Sequence, residues 1–189
     1  LAIGSVSNDF NVAGVSENCI FLDSPAQAHR FHRRLVDGFI RLNQALKSGD
    51  RDSKLRVAII GGGATGVELS AELYKAREWF STYGLTAITP QHLEVTLVEA
   101  GPRLLPALSE RISSGAREEL EKLGVRVMVH TAVVSASPQG LQTRDGNAIP
   151  ADLMVWAAGV KAPDFLRAID GLESNRANQL LVEPTLQLK

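Results

Sequence analysis

A chain of 189 residues is long enough to bury one real core and suits a single domain with appendages. With a formal net charge of −1 and 44% hydrophobic residues, it carries no broad drive toward nucleic acid or anionic lipid, and no apolar run approaches a membrane span. The single cysteine, Cys19, excludes an internal disulfide or a redox-active cysteine pair within these residues and fits a reducing compartment. The first residues, LAIGSVSNDF, lack a Met and a signal-peptide pattern, which suggests a piece excised from a longer chain.

Residues 1–23 read as irregular, with Gly, Asn and Asp among short apolar clusters. Ser24-Pro25-Ala26-Gln27 is a helix start, with a capping serine, a proline at the first helical position and a glutamine to complete a capping box. Ala28, Phe31, Leu35, Phe39, Leu42 and Leu46 then recur on one face, and Gly49 is the expected stop. Leu55–Ile60 is nearly all apolar and reads as a parallel strand buried on both faces. A glycine run follows, then a helix expected from about Ala64 to about Phe80. Residues 81–92, with Gly84 and Pro90, read as an inserted loop. Glu94–Glu99 is a second strand, and Gly101-Pro102 breaks the chain. Ser109–Leu123 is an amphipathic helix with Ile112, Ala116, Leu120 and Leu123 expected inward, and Gly124 lies past its end. Val125–Val129 is a third strand. Val133–Ala136 and Leu141–Thr143, with a turn at Asp145-Gly146, predict an antiparallel meander lying against or extending the sheet. Leu153–Ala157 is another buried strand, and Leu180–Val182 a last short one. Alternating strands and helices imply an α/β fold, with a Rossmann-like parallel sheet, flanking helices and an antiparallel β-meander.

The sharpest motif is Gly61-x-Gly63-x-x-Gly66, placed between a buried strand and a helix. That spacing alone is weak; its context marks a dinucleotide site. Gly61 permits a tight turn, Gly63 lets backbone approach a pyrophosphate, and Gly66 lets the helix pack close to the strand. The helix start at Ala64 and Thr65 offers amide donors and partial positive charge. Val67 stands where a Walker loop needs lysine, so phosphoryl transfer is disfavoured. Glu99 ends the second strand, where a carboxylate can accept from adenosine ribose hydroxyls and repel a 2′-phosphate, favouring NAD over NADP. It follows Gly61 by 38 positions, more than the usual ~20; the long helix and the 81–92 insertion account for the excess. Arg103, nearby, would soften that preference. Glu68 falls in the first helical turn, where the helix dipole alone would favour an acid. Ala158-Gly159, ending the 153–157 strand, leaves room for a flat ring or ribose.

Other candidates carry no chemistry. His29 and His32 stand three apart on the first helix without metal-ligand partners. His92 and His130 read as surface or loop residues, and Trp79 and Trp156 as core or interface. No G-x-S-x-G elbow appears, and Arg33-Arg34 is too short for a nucleic-acid patch.

VAIIGGGATGVELSAE at 57–72, VTLVEAGPRLLP at 95–106 and VWAAGVKAPDFL at 155–166 resemble the type II NADH dehydrogenases, single-chain NADH:quinone oxidoreductases of the two-dinucleotide-binding flavoprotein superfamily. GSVSNDF at 4–10 and NRANQLLVEPTLQ at 175–187 also match that pattern. The resemblance implies an NADH-binding domain over 24–175, with 1–23 and 176–189 connecting it to a split FAD domain that lies largely outside this chain. It implies NADH held here and FAD in the parent protein. It puts Glu68 near the nicotinamide carboxamide, Glu99 on the adenosine ribose, Val133 against the adenine and Ala158-Gly159 beside the dinucleotide. No side chain is implied as a catalytic acid or base, and no metal. Quinone and the membrane surface would be reached through regions outside these residues, with the parent peripheral on the cytoplasmic side, and a homodimer stays open. The NAD domain of a ferredoxin, rubredoxin or nitrite reductase, or of an apoptosis-inducing-factor-like protein, remains an alternative, as does a nucleotide-binding domain without redox function.

Overall fold

The computed structural model describes residues 3–76, 80 and 82–189. In chain order the elements are β1 (Val6–Ser7), α1 (Val15–Asn18), α2 (Pro25–Lys47), β2 (Leu55–Ile60), α3 (Ala64–Lys75), β3 (Leu93–Val98), α4 (Glu110–Leu123), β4 (Arg126–Met128), β5 (Val133–Ser137), β6 (Gly140–Thr143), β7 (Ala148–Pro150), β8 (Leu153–Trp156) and β9 (Val160–Lys161). Four parallel strands form the central sheet in the order β4-β3-β2-β8. The order reverses at β2: the chain runs from β2 to β3 and β4 on one side, then returns to place β8 on the other. Such a switch point opens a crevice at the carboxyl ends of the strands. Ile20 extends the sheet beyond β8: its N–H donates to Met154 O and its carbonyl accepts from Trp156 N, both at 2.9 Å.

Side-chain parity divides the core into two layers. Leu55, Val57 and Ile59 point to a face covered by α2, α3 and α4, where Phe31, Leu35, Phe39, Leu42, Leu73, Tyr74 and Leu120 are buried with them. Ala58, Ile60, Met154 and Trp156 point to the other face, closed by Ala136, Leu141 and Ile149 of the meander and by Val15 and Cys19. The meander therefore lies against the sheet as a third layer. Burial on both faces explains the nearly unbroken apolar run of β2.

The expected start of α2 holds, with one change. Ser24 Oγ accepts from Gln27 N at 3.3 Å, while Gln27 Oε1 reaches back to Asp23 N at 2.7 Å, one residue before the cap. Gly49, at φ +100°, follows the C-cap Ser48. Ala28, expected inward, is exposed.

Several expectations are corrected. α3 is α-helical only through Lys75, and Phe80 lies in a turn; Trp79 lies outside the described residues. On α4, Ile112 and Leu123 face solvent, while Ser113 and Leu120 are buried and Ala116 half-buried. Ser113 is tolerated there because its Oγ donates to Leu104 O at 2.7 Å. The third strand is three residues, Arg126–Met128. The last expected strand, 180–182, takes part only in single bridges, Ser174 with Leu180 and Val182 with Leu188. His92 is buried rather than superficial: its Nδ1 accepts from Thr89 N at 2.9 Å and holds the 3-10 turn that leads into β3. His29, His32 and His130 are exposed.

Candidate functional site

The loop between β2 and α3 stands at the switch point, and its glycines do distinct work. Gly61 has φ +116°, and its amide donates to Val98 O at 2.8 Å, continuing the β2–β3 ladder. A Cβ there would stand 2.3 Å from Ala157 O and 2.6 Å from Ala158 Cα. The loop and the end of β8 therefore touch backbone to backbone. A Cβ on Gly66 would stand 1.9 Å from Gly61 O, so α3 packs on the loop at a distance only glycine permits. Gly63 is different: it has φ −74°, and nothing lies within 4 Å of where a Cβ would be. Its bare side faces open space.

Gly63 is the N-cap of α3, and no side chain caps this end. The first amide to bond back is Val67 N, to Gly63 O at 3.1 Å. An α-helix leaves its leading N–H groups without intrahelical partners, with a partial positive charge. Here they belong to the segment of Ala64 and Thr65, whose side chains are exposed. Such an end is a ready anion site.

Glu99 follows β3 directly and turns back to the loop. Its Oε2 accepts from Gly62 N and its Oε1 from Gly101 N, both at 2.6 Å. Its own backbone is pinned by bonds to Met128 O and from Thr131 N. The carboxylate is thus fixed beside the glycine loop, and each oxygen keeps a second lone pair. Sequence reasoning missed Gly62: it is buried, and a Cβ there would meet Leu104 Cδ2 at 2.7 Å. The signal lay in the unbroken run Gly61-Gly62-Gly63, which the motif spacing does not require.

The remaining candidates divide. Ala158 and Val133 are half-buried against the same apolar cluster beneath the crevice. Gly159, half-buried, continues the ledge beyond β8. Glu68 is exposed and is the fifth residue of α3, so it lies past the first turn where it was expected. The dipole effect fades within that turn, so helix electrostatics do not account for an acid there. Arg103 is committed elsewhere: its guanidinium donates to Leu108 O at 2.9 Å and Pro106 O at 2.8 Å. Burial pushes the Cys19 thiol up to about 12, which removes it as a nucleophile at neutral pH. Among the described residues, no group of three or more His, Cys, Asp or Glu could hold a metal ion, and no helix is long and apolar enough to cross a membrane. Trp156, expected in the core or an interface, is buried, and its Nε1 donates to Asn8 O at 2.8 Å.

A parallel sheet with a glycine loop at its switch point and a carboxylate at the end of the next strand defines a dinucleotide-binding fold. The whole chain, residues 1–189, matches the model for the pyridine nucleotide-disulphide oxidoreductases, and the chain belongs to that family. It is 51% identical over 99% of its length to the type II NADH:quinone oxidoreductase of Haemophilus influenzae, and 31% identical over 89% to the external alternative NAD(P)H-ubiquinone oxidoreductase B2 of Arabidopsis thaliana mitochondria. It spans 45% of the first and 30% of the second, less than half of either relative. Among solved structures, NDH2 of Plasmodium falciparum in complex with NADH superposes on 88% of this chain, and on 36% of its own, with a TM-score of 0.75 at 23% identity. That likeness establishes the fold.

Proposed function

We propose that this chain is the NADH-binding domain of a flavoprotein NADH dehydrogenase that passes a hydride from NADH to FAD and electrons onward to a quinone. The observation that carries this is the uncapped head of α3 behind Gly61–Gly66, with the Glu99 carboxylate held against the same loop. The diphosphate lies along Gly61, Gly63, Ala64, Thr65 and Gly66, where amides and helix charge receive it. Glu99 takes the adenosine ribose hydroxyls on its remaining lone pairs, and a 2′-phosphate would meet its charge. Val133 backs the adenine. Ala158 and Gly159 give the nicotinamide ribose a flat seat, and Glu68 faces the carboxamide. The chain's own task is to hold and orient the nicotinamide; no acid or base is needed from it. A bound FAD supplies the hydride acceptor in this reading.

Residues 24–175 form the module, and 1–23 and 176–189 cross to the FAD domain. The 51% identical relative, which carries NADH and quinone in its name, supports the substrates. The full-length protein then works as a peripheral protein at the cytoplasmic side of a membrane. Calorimetric titration of this chain tests the reading: NADH should bind more tightly than NADPH. Equal affinity for both, or flavin copurifying in the glycine loop, would refute it. In the full-length protein, NADH should reduce a ubiquinone analogue; reduction of an iron–sulfur protein instead would redirect the electron acceptor.

A further inference from the structure

The β8 end of this crevice, at Gly159, is bordered by a residue that packs in neither core layer. Phe10 is 55% exposed, yet it is held in the left-handed backbone region at φ +51°. That conformation is unfavourable for a non-glycine residue. It is held there by short local bonds: Phe10 N donates to Asn8 Oδ1 at 3.0 Å, and Asn11 N to Asp9 Oδ1 at 3.1 Å. The turn is also keyed to the end of β8. Asn8 N donates to Gly159 O at 2.9 Å, and Asn8 O accepts from Trp156 Nε1 at 2.8 Å. The result sets the ring beside Gly159, where an added Cβ would lie 3.0 Å from Phe10 Cζ. Within these residues, an aromatic that is both strained and keyed to a ledge is not accounted for by burial.

The direction of the crevice says what the ring would meet. Glu99 marks its β3 side, the glycine loop its centre and Ala158-Gly159 its β8 side. A dinucleotide with its adenosine at Glu99 therefore runs toward Gly159 and ends at Phe10. Resting on the NADH reading above, we infer that Phe10 is the wall against which the nicotinamide-ribose end of the dinucleotide packs, a positioning residue contributed by the segment that precedes α2. A π-face at a ring edge contributes about 0.5–1.5 kcal/mol, a factor of about 2 to 12 in affinity.

The test compares NADH with ADP-ribose, which shares the adenosine, diphosphate and second ribose but lacks the nicotinamide. Phe10→Ala and Phe10→Leu should each weaken NADH about threefold to tenfold and leave ADP-ribose unchanged, whereas Phe10→Tyr should retain wild-type NADH affinity. Melting temperature, followed alongside, should not fall. Equal weakening of both ligands, or no change in either, would overturn the inference while leaving the glycine-loop site intact. A wild-type chain that binds neither ligand would end both readings.

Discussion

Gly63→Ala separates the fold of the loop from its ligand. The methyl group enters open space, since nothing lies within 4 Å of the Cβ position, and φ −74° suits alanine. Two opposing effects on stability then nearly cancel. Reduced freedom in the unfolded chain stabilises by ~0.4–1 kcal/mol. Exchanging glycine for alanine at an N-cap costs ~0.5–1 kcal/mol. The variant should unfold within ~0.5 kcal/mol of wild type, a shift of about 1–2 °C for a chain of this size. Binding is another matter, because the methyl stands where the proposed diphosphate would approach. Loss of one charge-assisted hydrogen bond costs ~1.5–3 kcal/mol, so NADH affinity should fall about 10- to 150-fold. Gly66→Ala is the contrasting variant. Its Cβ would lie 1.9 Å from the carbonyl oxygen of Gly61, a backbone atom that cannot swing aside. Overpacking of that kind costs ~1–3 kcal/mol and displaces the helix, so stability and affinity should fall together. Isothermal titration with NADH and a thermal melt on the same samples read both quantities. A folded Gly63→Ala protein that binds NADH like wild type would show that no diphosphate lies over this loop.

Three further outcomes follow from the packing. Tyr74→Phe removes a buried hydroxyl that donates to Gly124 O at 2.7 Å, where α4 ends; urea denaturation should show a loss of ~1–3 kcal/mol. Cys19, whose thiol burial pushes up to about 12, should not react with a thiol reagent at pH 8 in the native chain and should react stoichiometrically once unfolded. Asp145 is held below the ordinary aspartate range, first by the Thr143 hydroxyl, which outweighs the opposing effect of burial, and then by Asn147. Because its folded value is depressed, its contribution is complete above about pH 4 and is lost as pH falls through the lowered value. Amide exchange in the 143–147 turn, corrected for the intrinsic pH dependence, should quicken over that acid range.

The sequence carried those parts whose pattern is local. α2 was legible because its cap, its proline and its apolar spacing agree, and β2 because a short, nearly all-apolar run directly before glycines has few other readings. Gly61 and Gly66 emerge as their spacing suggested, with a positive-φ turn at the first and close helix packing at the second, and Gly63 opens on free space. Features that depend on distant partners were not legible. Ser113 looks like a surface residue until Leu104 supplies its acceptor, and so Ile112 took its place in the expected inward face of α4. His92 looks superficial until Thr89 folds over it. Residues 1–23 looked irregular because Val15 and Ile20 bury themselves against strands more than a hundred positions away. Glu68 falls one residue beyond the first turn it was expected in, although the helix starts at Ala64 as expected.

The Glu99 carboxylate has a second dependency. Its two oxygens hold the amides of Gly62 and Gly101 at 2.6 Å, so it clasps two loops together besides facing the crevice. A lineage drifting toward acceptance of a phosphorylated ribose could not simply discard the acid. Any neutral replacement must still offer acceptors in both directions, or the buried Gly62 amide goes unsatisfied at ~1–3 kcal/mol and the half-buried Gly101 amide loses its partner. If Glu99 takes the adenosine ribose as proposed, coenzyme choice is yoked to the integrity of the loop, and a switch calls for a compensating change near Gly101 in the same step.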